Sequence, residues 1–213
     1  IELIRTGALT TLSLATNSMV NRYFAGTLLL EFCEQNPLTR LKLDVVPSKE
    51  IIYGVDEGRW ELGFGPFQSS MPQHFETRVY FREQRVLAVH EHHPKFKALM
   101  ANPTEVLGEV TLLTSYLDEV TKRSQARRLS DQFAAVWEVS NLDLRLALAA
   151  AGRGVTYLSN QLLDDSPGMH AVADFPQASI PRDVGIYFNG HEPLSTGARH
   201  FLAICDRQFT SVV

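Results

Sequence analysis

Apolar and polar positions alternate through residues 9–15, which predicts a short strand. The polar break Thr16, Asn17 and Ser18 predicts the hand-over from that strand to a helix. Asn17 and Ser18 are both favourable N-cap types. The free N–H groups and positive dipole end of the helix should therefore point out of the strand's carboxyl edge, where open α/β sheets bind ligands. Val20, Tyr23, Phe24, Thr27, Leu28 and Phe32 recur at helical spacing and form the expected buried stripe, and Pro37 stops the helix.

The unit then repeats. Residues 41–46 read as a second strand, Ser48 as the cap of a helix over 49–57 that stops at Gly58, and residues 60–64 as a buried strand closed by the breaker pair Gly65 and Pro66, with Phe67 beyond. Residues 75–90 are extended throughout, with a crossover at 80–82. Pro103 opens a short helical turn. Residues 110–113 form a strand ending in Thr114, Ser115 and Tyr116, followed by a helix over 119–129 and a strand over 135–139. Asn141 caps a helix over 142–151 that is apolar enough to be buried, and Gly152 and Gly154 turn the chain into a strand over 155–158. A short helix at 160–163, a strand at 184–188 and a closing helix at 195–209 complete the chain. The predicted fold is α/β, with two Rossmann-like lobes joined by two crossover strands. Lobe I takes residues 7–81 and 183–213, and lobe II takes 82–182.

Composition narrows the function. Among 213 residues, 45% are hydrophobic and 21% charged, the balance of an ordinary globular protein, and no apolar run approaches the length needed to span a bilayer. A net charge of −4 and a pI near 6.0 argue against a phosphate-backbone surface on this chain. Cys33 and Cys205 each sit in an apolar helical pattern and read as core thiols of a reduced, cytoplasmic protein rather than as a disulfide. His90, His92 and His93 lack the further ligands a metal site needs. Lys122, Arg123, Arg127 and Arg128 read as a solvated face near Asp118 and Glu119. Gly152 and Gly154 lack the third glycine and the helix of a dinucleotide fingerprint, and no Walker loop, nucleophile elbow or zinc-protease helix occurs. No enzyme activity, cofactor or metal is expected.

One family shares the ordered set of local patterns. Gly7, Ala8 and Leu9 lead into the first strand. Gly26, Leu28, Leu29 and Phe32 with Asn36 and Pro37 follow, then Gly58, Glu61, Leu62, Gly63 and Phe64. His93 with Pro94, Ala150 through Gly152 with Gly154 and Val155, and Pro193, Leu194 and Ser195 ahead of Ala198 and Phe201 complete the set. The chain resembles the effector-binding domain of LysR-type transcriptional regulators, which has the type II periplasmic-binding-protein fold. Gly26 stands where the family usually has proline, Glu61 where aspartate is commoner, and Ser159 where proline often follows the strand.

The resemblance implies a small polar or anionic effector in the cleft between the lobes, bound by Thr16, Asn17 and Ser18, by Ser48, by Phe64, Gly65, Pro66 and Phe67, and by Thr114, Ser115 and Asn141. It implies a homodimer or tetramer in which the first helix packs beside the second lobe of another copy, with DNA reached only through an N-terminal winged helix-turn-helix. Residues 1–6 are then the remnant of the connection to it, and no membrane is involved. A transporter's solute-binding protein and an enzyme on the same fold are the alternatives.

Overall fold

The computed structural model describes residues 11–68, 71–115, 130–173 and 180–210. The helix expected at 119–129 and its basic run lie outside the described residues, as does the start of the first strand. The chain divides into two compact units, one of Ile1–Arg82 with Asp183–Val213, the other of Glu83–Arg182.

In the first unit, β1 (Thr11–Thr16) runs parallel to β2 (Arg40–Val45) and β3 (Leu62–Pro66). Thr16 is level with Val45 and with Phe64, so the three strands end at one edge. β9 (Ile180–Asn189) pairs antiparallel with β3. Strand β3 runs through Gly65 to Pro66, past the expected break, because Gly65 and Pro66 stand opposite Gly185 and Val184 in the ladder. α1 (Ser18–Val20), a π turn (Asn21–Ala25) and α2 (Gly26–Gln35) form the first helix, and α3 (Ser48–Asp56) follows β2. α3 ends before Gly58, whose φ of 72° suits glycine. The core of this unit joins Leu12, Leu14, Leu28, Phe32, Phe64 and Phe201, with the rings of Phe32 and Phe201 edge-on at 5.9 Å.

The π turn corrects the expected stripe. A π turn inserts one residue into the helical repeat, so the buried set after Val20 becomes Ala25, Leu28, Leu29 and Phe32, while Thr27 faces solvent. The same rotation leaves Cys33 exposed, against the expectation of a core thiol, whereas Cys205 is buried and both are free. Ser48 is the first residue of α3 rather than its cap, because Pro47 takes the N-cap position and has no side-chain donor or acceptor to close the turn.

In the second unit, β5 (Thr111–Thr114) runs parallel to β6 (Ala135–Glu138) and to β7 (Val155–Ser159). β4 (Phe75–His90) pairs antiparallel with β7 and with β8 (Met169–Ala171), a short strand the sequence pattern did not reveal. α4 (Phe96–Ala101) was equally unforeseen, and α5 (Pro103–Val106) starts on its proline. α6 (Leu142–Ala150) and α7 (Asn160–Asp164) flank β7. The full strand order is β2-β1-β3-β9-β4-β7-β5-β6, one hydrogen-bonded path, because β4 and β9 each carry residues of both units. The closing helix is α8 (Thr196–Thr210).

α6 is not the buried apolar helix the sequence suggested. Its leucines fall on alternate positions and so point all round the helix. Leu144 is 55% exposed, whereas the inward stripe is Leu142, Arg145 and Ala149, with Arg145 only 1% exposed.

Candidate functional site

At the carboxyl edge of the first unit, Asn17 occupies both halves of its amide. The backbone of Asn17 is extended, and its Oδ1 accepts from the Val20 N–H at 2.8 Å, capping α1. Its Nδ2 donates to Ser48 Oγ at 3.1 Å. Ser48 spends no oxygen on capping, and by accepting from Asn17 it keeps its own hydroxyl proton to donate. Thr16 is fully buried and turns its hydroxyl back onto the Asn17 carbonyl at 3.4 Å, while Ser18, the first residue of α1, is half-buried. The ladder is prolonged past the strands by the Val46 N–H, which donates to the Thr16 carbonyl at 2.9 Å.

Strand β3 divides the third group of candidates by its pleat. The Phe64 ring is fully buried in the core under the first helix, and Pro66 is buried. Gly65 faces the opposite side, where a Cβ built on it would lie 3.8 Å from Asn17 Nδ2 and 3.9 Å from the hydroxyl of Tyr187. Phe67 packs edge-on against the Tyr187 ring at 6.0 Å, and Phe75 stacks on it at 5.9 Å. Asn17, Ser48, Gly65 and Phe67 are thus brought together around a residue the sequence reading passed over. Tyr187 is fully buried, and its hydroxyl has no hydrogen-bond partner among the described residues. Burial pushes the phenol well above its ordinary range, so it is a neutral donor. The ring fits because Gly63 lies beneath it, where a Cβ would come 2.4 Å from Tyr187 Cε2.

The second unit repeats the construction. The Val139 N–H donates to the Thr114 carbonyl at 2.7 Å, prolonging β5 and β6 as Val46 prolongs β1 and β2. Asn141 caps α6 by accepting from the Leu144 N–H at 2.8 Å. Thr114 is half-buried, whereas Ser115 and Asn141 are exposed. One turn behind Asn141 lies Arg145, whose Nη1 donates to the Val139 carbonyl at 3.1 Å. Nε and Nη2 are buried with no partner among the described residues, and desolvation lowers the guanidinium to about 10. By contrast Glu83, also buried, is paired with Arg182.

Sequence reasoning missed Tyr187 and Arg145 because both sit in apolar runs. The available signals were a tyrosine in a central strand facing glycines on its neighbour, and an arginine in phase with Leu142 and Ala149. The histidines are used locally. His90 Nδ1 accepts from the His92 N–H and His93 Nδ1 from the Lys95 N–H, each at 3.1 Å. Among the described residues no cluster of three metal-ligating side chains occurs, and no helix is long and apolar enough to cross a membrane. An open hollow lined by Ser13, Trp60, Glu61, Asn189 and Glu192 lies at the amino-terminal side of β3 and shares no residue with the candidate set.

Comparison with known proteins places this geometry in context. The C-terminal domain of a probable LysR family transcriptional regulator from Rhodococcus sp. RHA1 superimposes with a TM-score of 0.68 at 12% identity, covering 92% of this chain and 98% of that one. The cofactor-binding domain of the Cbl transcriptional regulator gives 0.68 at 19% identity, covering 93% and 92%. The effector-binding domain of QuiR, in complex with shikimate, gives 0.70 at 12% identity, covering 94% and 97%. These neighbours share the fold. The sequence itself matches the LysR substrate binding domain over residues 5–210, nearly its whole length, and the chain belongs to that family.

Proposed function

We propose that this chain is the sensing module of a bacterial LysR-type regulator, which binds a small polar or anionic effector at the carboxyl edges of its parallel strands and relays occupancy to a DNA-binding domain elsewhere in the regulator. The observation that carries the reading is the convergence of Asn17, Ser48 and the Tyr187 hydroxyl over Gly65. Three neutral groups are held by one hydrogen bond and a packed aromatic ring, and two of them keep a proton to donate. Thr114 and Ser115 supply the corresponding hydroxyls of the second unit, and the lobe assignment follows the two compact units. An effector biases the conformation of the regulator only by its differential affinity for the two states.

The module binds rather than reacts. The Cys205 thiol is raised by burial and carries no thiolate, and the buried histidines are committed as acceptors to neighbouring N–H groups. Catalysis is therefore not assigned to it, and it works in the cytoplasm beside the DNA it regulates. The exposed Leu30 on α2 and the exposed Leu41 and Val45 on the edge strand β2 give a second copy an apolar face to cover, so the module acts as a dimer or higher oligomer.

Shikimate, the hydroxylated carboxylate bound by QuiR, is the first probe, followed by a set of small polar metabolites. In calorimetric titrations, Ser48→Ala and Asn17→Ala should each weaken the binding metabolite by about tenfold, the equivalent of one lost hydrogen bond of about 1.5 kcal/mol. Unchanged affinity in both folded variants would overturn the reading.

A further inference from the structure

We infer that Arg145 is a carboxylate receptor, the residue that takes the charged end of the effector. The inference rests on the sensing function proposed above and assigns the chemical class of its ligand. Arg145 is 1% exposed, and among the described residues its one hydrogen bond goes from Nη1 to the Val139 carbonyl. The two nitrogens left over are Nε and Nη2, both buried. Those two share one edge of the guanidinium plane and form a side-on fork, whose parallel N–H bonds match the two oxygens of a carboxylate. The structure thus uses the one nitrogen that is not part of the fork to aim it and leaves the fork itself enclosed and without a partner among the described residues.

A structural arginine would be built otherwise. Long charged side chains at domain surfaces lay their stems on apolar groups and keep the head in water, and buried charges are paired, as Glu83 is with Arg182. Arg145 has neither arrangement, although its helix offers exposed positions at Asp143, Leu144 and Ala147 where an arginine would be solvated. Its place is also that of a ligand group. Val139, which orients it, donates its own N–H to the Thr114 carbonyl at the end of β5, and Arg145 stands one turn behind Asn141, so the guanidinium lies at the strand edge that carries Thr114. A single positive charge in a desolvated setting is neutralised by a monoanion. A dianion such as sulfate would leave a net buried charge, so the site selects carboxylates over sulfate.

Nuclear magnetic resonance on the intact 213-residue chain tests this. The buried Arg145 Nε–H should give a resolved, slowly exchanging signal, identified by its loss in Arg145→Lys. Sodium benzoate and sodium acetate should shift it saturably, whereas sodium sulfate and sodium chloride at matched ionic strength should not. Arg145→Lys and Arg145→Met, each checked for folding by its amide spectrum, should bind benzoate at least tenfold more weakly, the loss of one bidentate charged pair. An Nε–H signal that ignores both carboxylates, or that responds to sulfate as to benzoate, overturns the assignment. So does benzoate affinity that survives in either folded variant. If Arg145→Met loses benzoate while Asn17→Ala and Ser48→Ala leave the affinity for the polar metabolite unchanged, the carboxylate receptor stands and the first-unit site falls. The converse pattern removes Arg145 and leaves the first-unit site intact.

Discussion

The two units solve the same local problem with the same parts and put different chemistry behind them. In each, an N–H from the residue after the edge strand prolongs the sheet, at 2.9 Å in one and 2.7 Å in the other, and an asparagine caps the helix by accepting at 2.8 Å. Behind Asn17 stand the Ser48 hydroxyl and the neutral phenol of Tyr187. Behind Asn141 stands a buried guanidinium whose Nε and Nη2 have no partner among the described residues. The cap is a matter of local sequence, satisfied wherever an asparagine precedes a helix. The group behind it is a matter of tertiary placement, and on the functions proposed above it decides whether the edge recognises a hydroxylated body or a charged end.

The largest expected effect falls on the charged side of this contrast. Burial lowers Arg145 to about 10, well below an exposed arginine, so the unfolded chain holds the proton more tightly. At neutral pH both states are protonated, and the folded chain bears a penalty of about 3 kcal/mol at 1.36 kcal/mol per unit. Above about pH 10 the folded state releases its proton first, and the penalty is relieved. Ligand-free Arg145→Met should therefore be more stable than the natural chain at pH 7 in urea unfolding, and the difference should shrink above pH 10. A destabilised Met variant would mean that Arg145 is integral to the core of its unit.

The first unit should respond to crowding instead. A methyl at Gly63 meets Tyr187 Cε2 at 2.4 Å and Ile51 Cγ2 at 2.7 Å, so Gly63→Ala should cost about 1–3 kcal/mol as the two buried side chains shift. Thermal unfolding checks this, and a neutral result would remove the close fit on which the aim of the Tyr187 hydroxyl depends. The caps give a smaller and more discriminating pair. Asn141→Ala should cost about 1 kcal/mol for one lost cap, and Asn17→Ala should cost more, because it also unmakes the half-buried bond to Ser48. Equal losses would show that the Asn17 to Ser48 bond adds nothing. Gly65→Ala gives the smallest change in stability, since its nearest neighbour would be Ile51 Cδ1 at 3.7 Å. It places a methyl between Asn17 and Tyr187, and so should weaken ligand binding without lowering the melting temperature.

What could be read from the chain follows the range of the forces involved. Strand alternation, the Asn17 and Asn141 caps and the stop at Gly58 are short-range, and each was legible. The long strand over residues 75–90 was legible for the same reason, having no helix punctuation. The π turn at Asn21–Ala25 was not, because no residue type marks the change from a fourth- to a fifth-residue bond; Ala25 and Leu29 share one buried core with residues of β1 and α8. Ser48 was singled out for the wrong reason. A serine after proline looks like a cap, yet its hydroxyl is claimed from across the sheet edge by a residue 31 positions away. Tyr187 and Arg145 were invisible because an apolar run predicts burial and says nothing of what a buried polar group will face.

The most direct test of the account maps where a ligand lands. Amide chemical shifts of the intact chain should move saturably at Asn17, Ser18, Ser48 and Gly65 when it is titrated with the metabolite that binds, and at Thr114, Ser115 and Val139 when it is titrated with sodium benzoate. Saturable shifts gathered instead around the hollow of Trp60, Glu61 and Glu192, with the strand-edge amides unmoved, would contradict it.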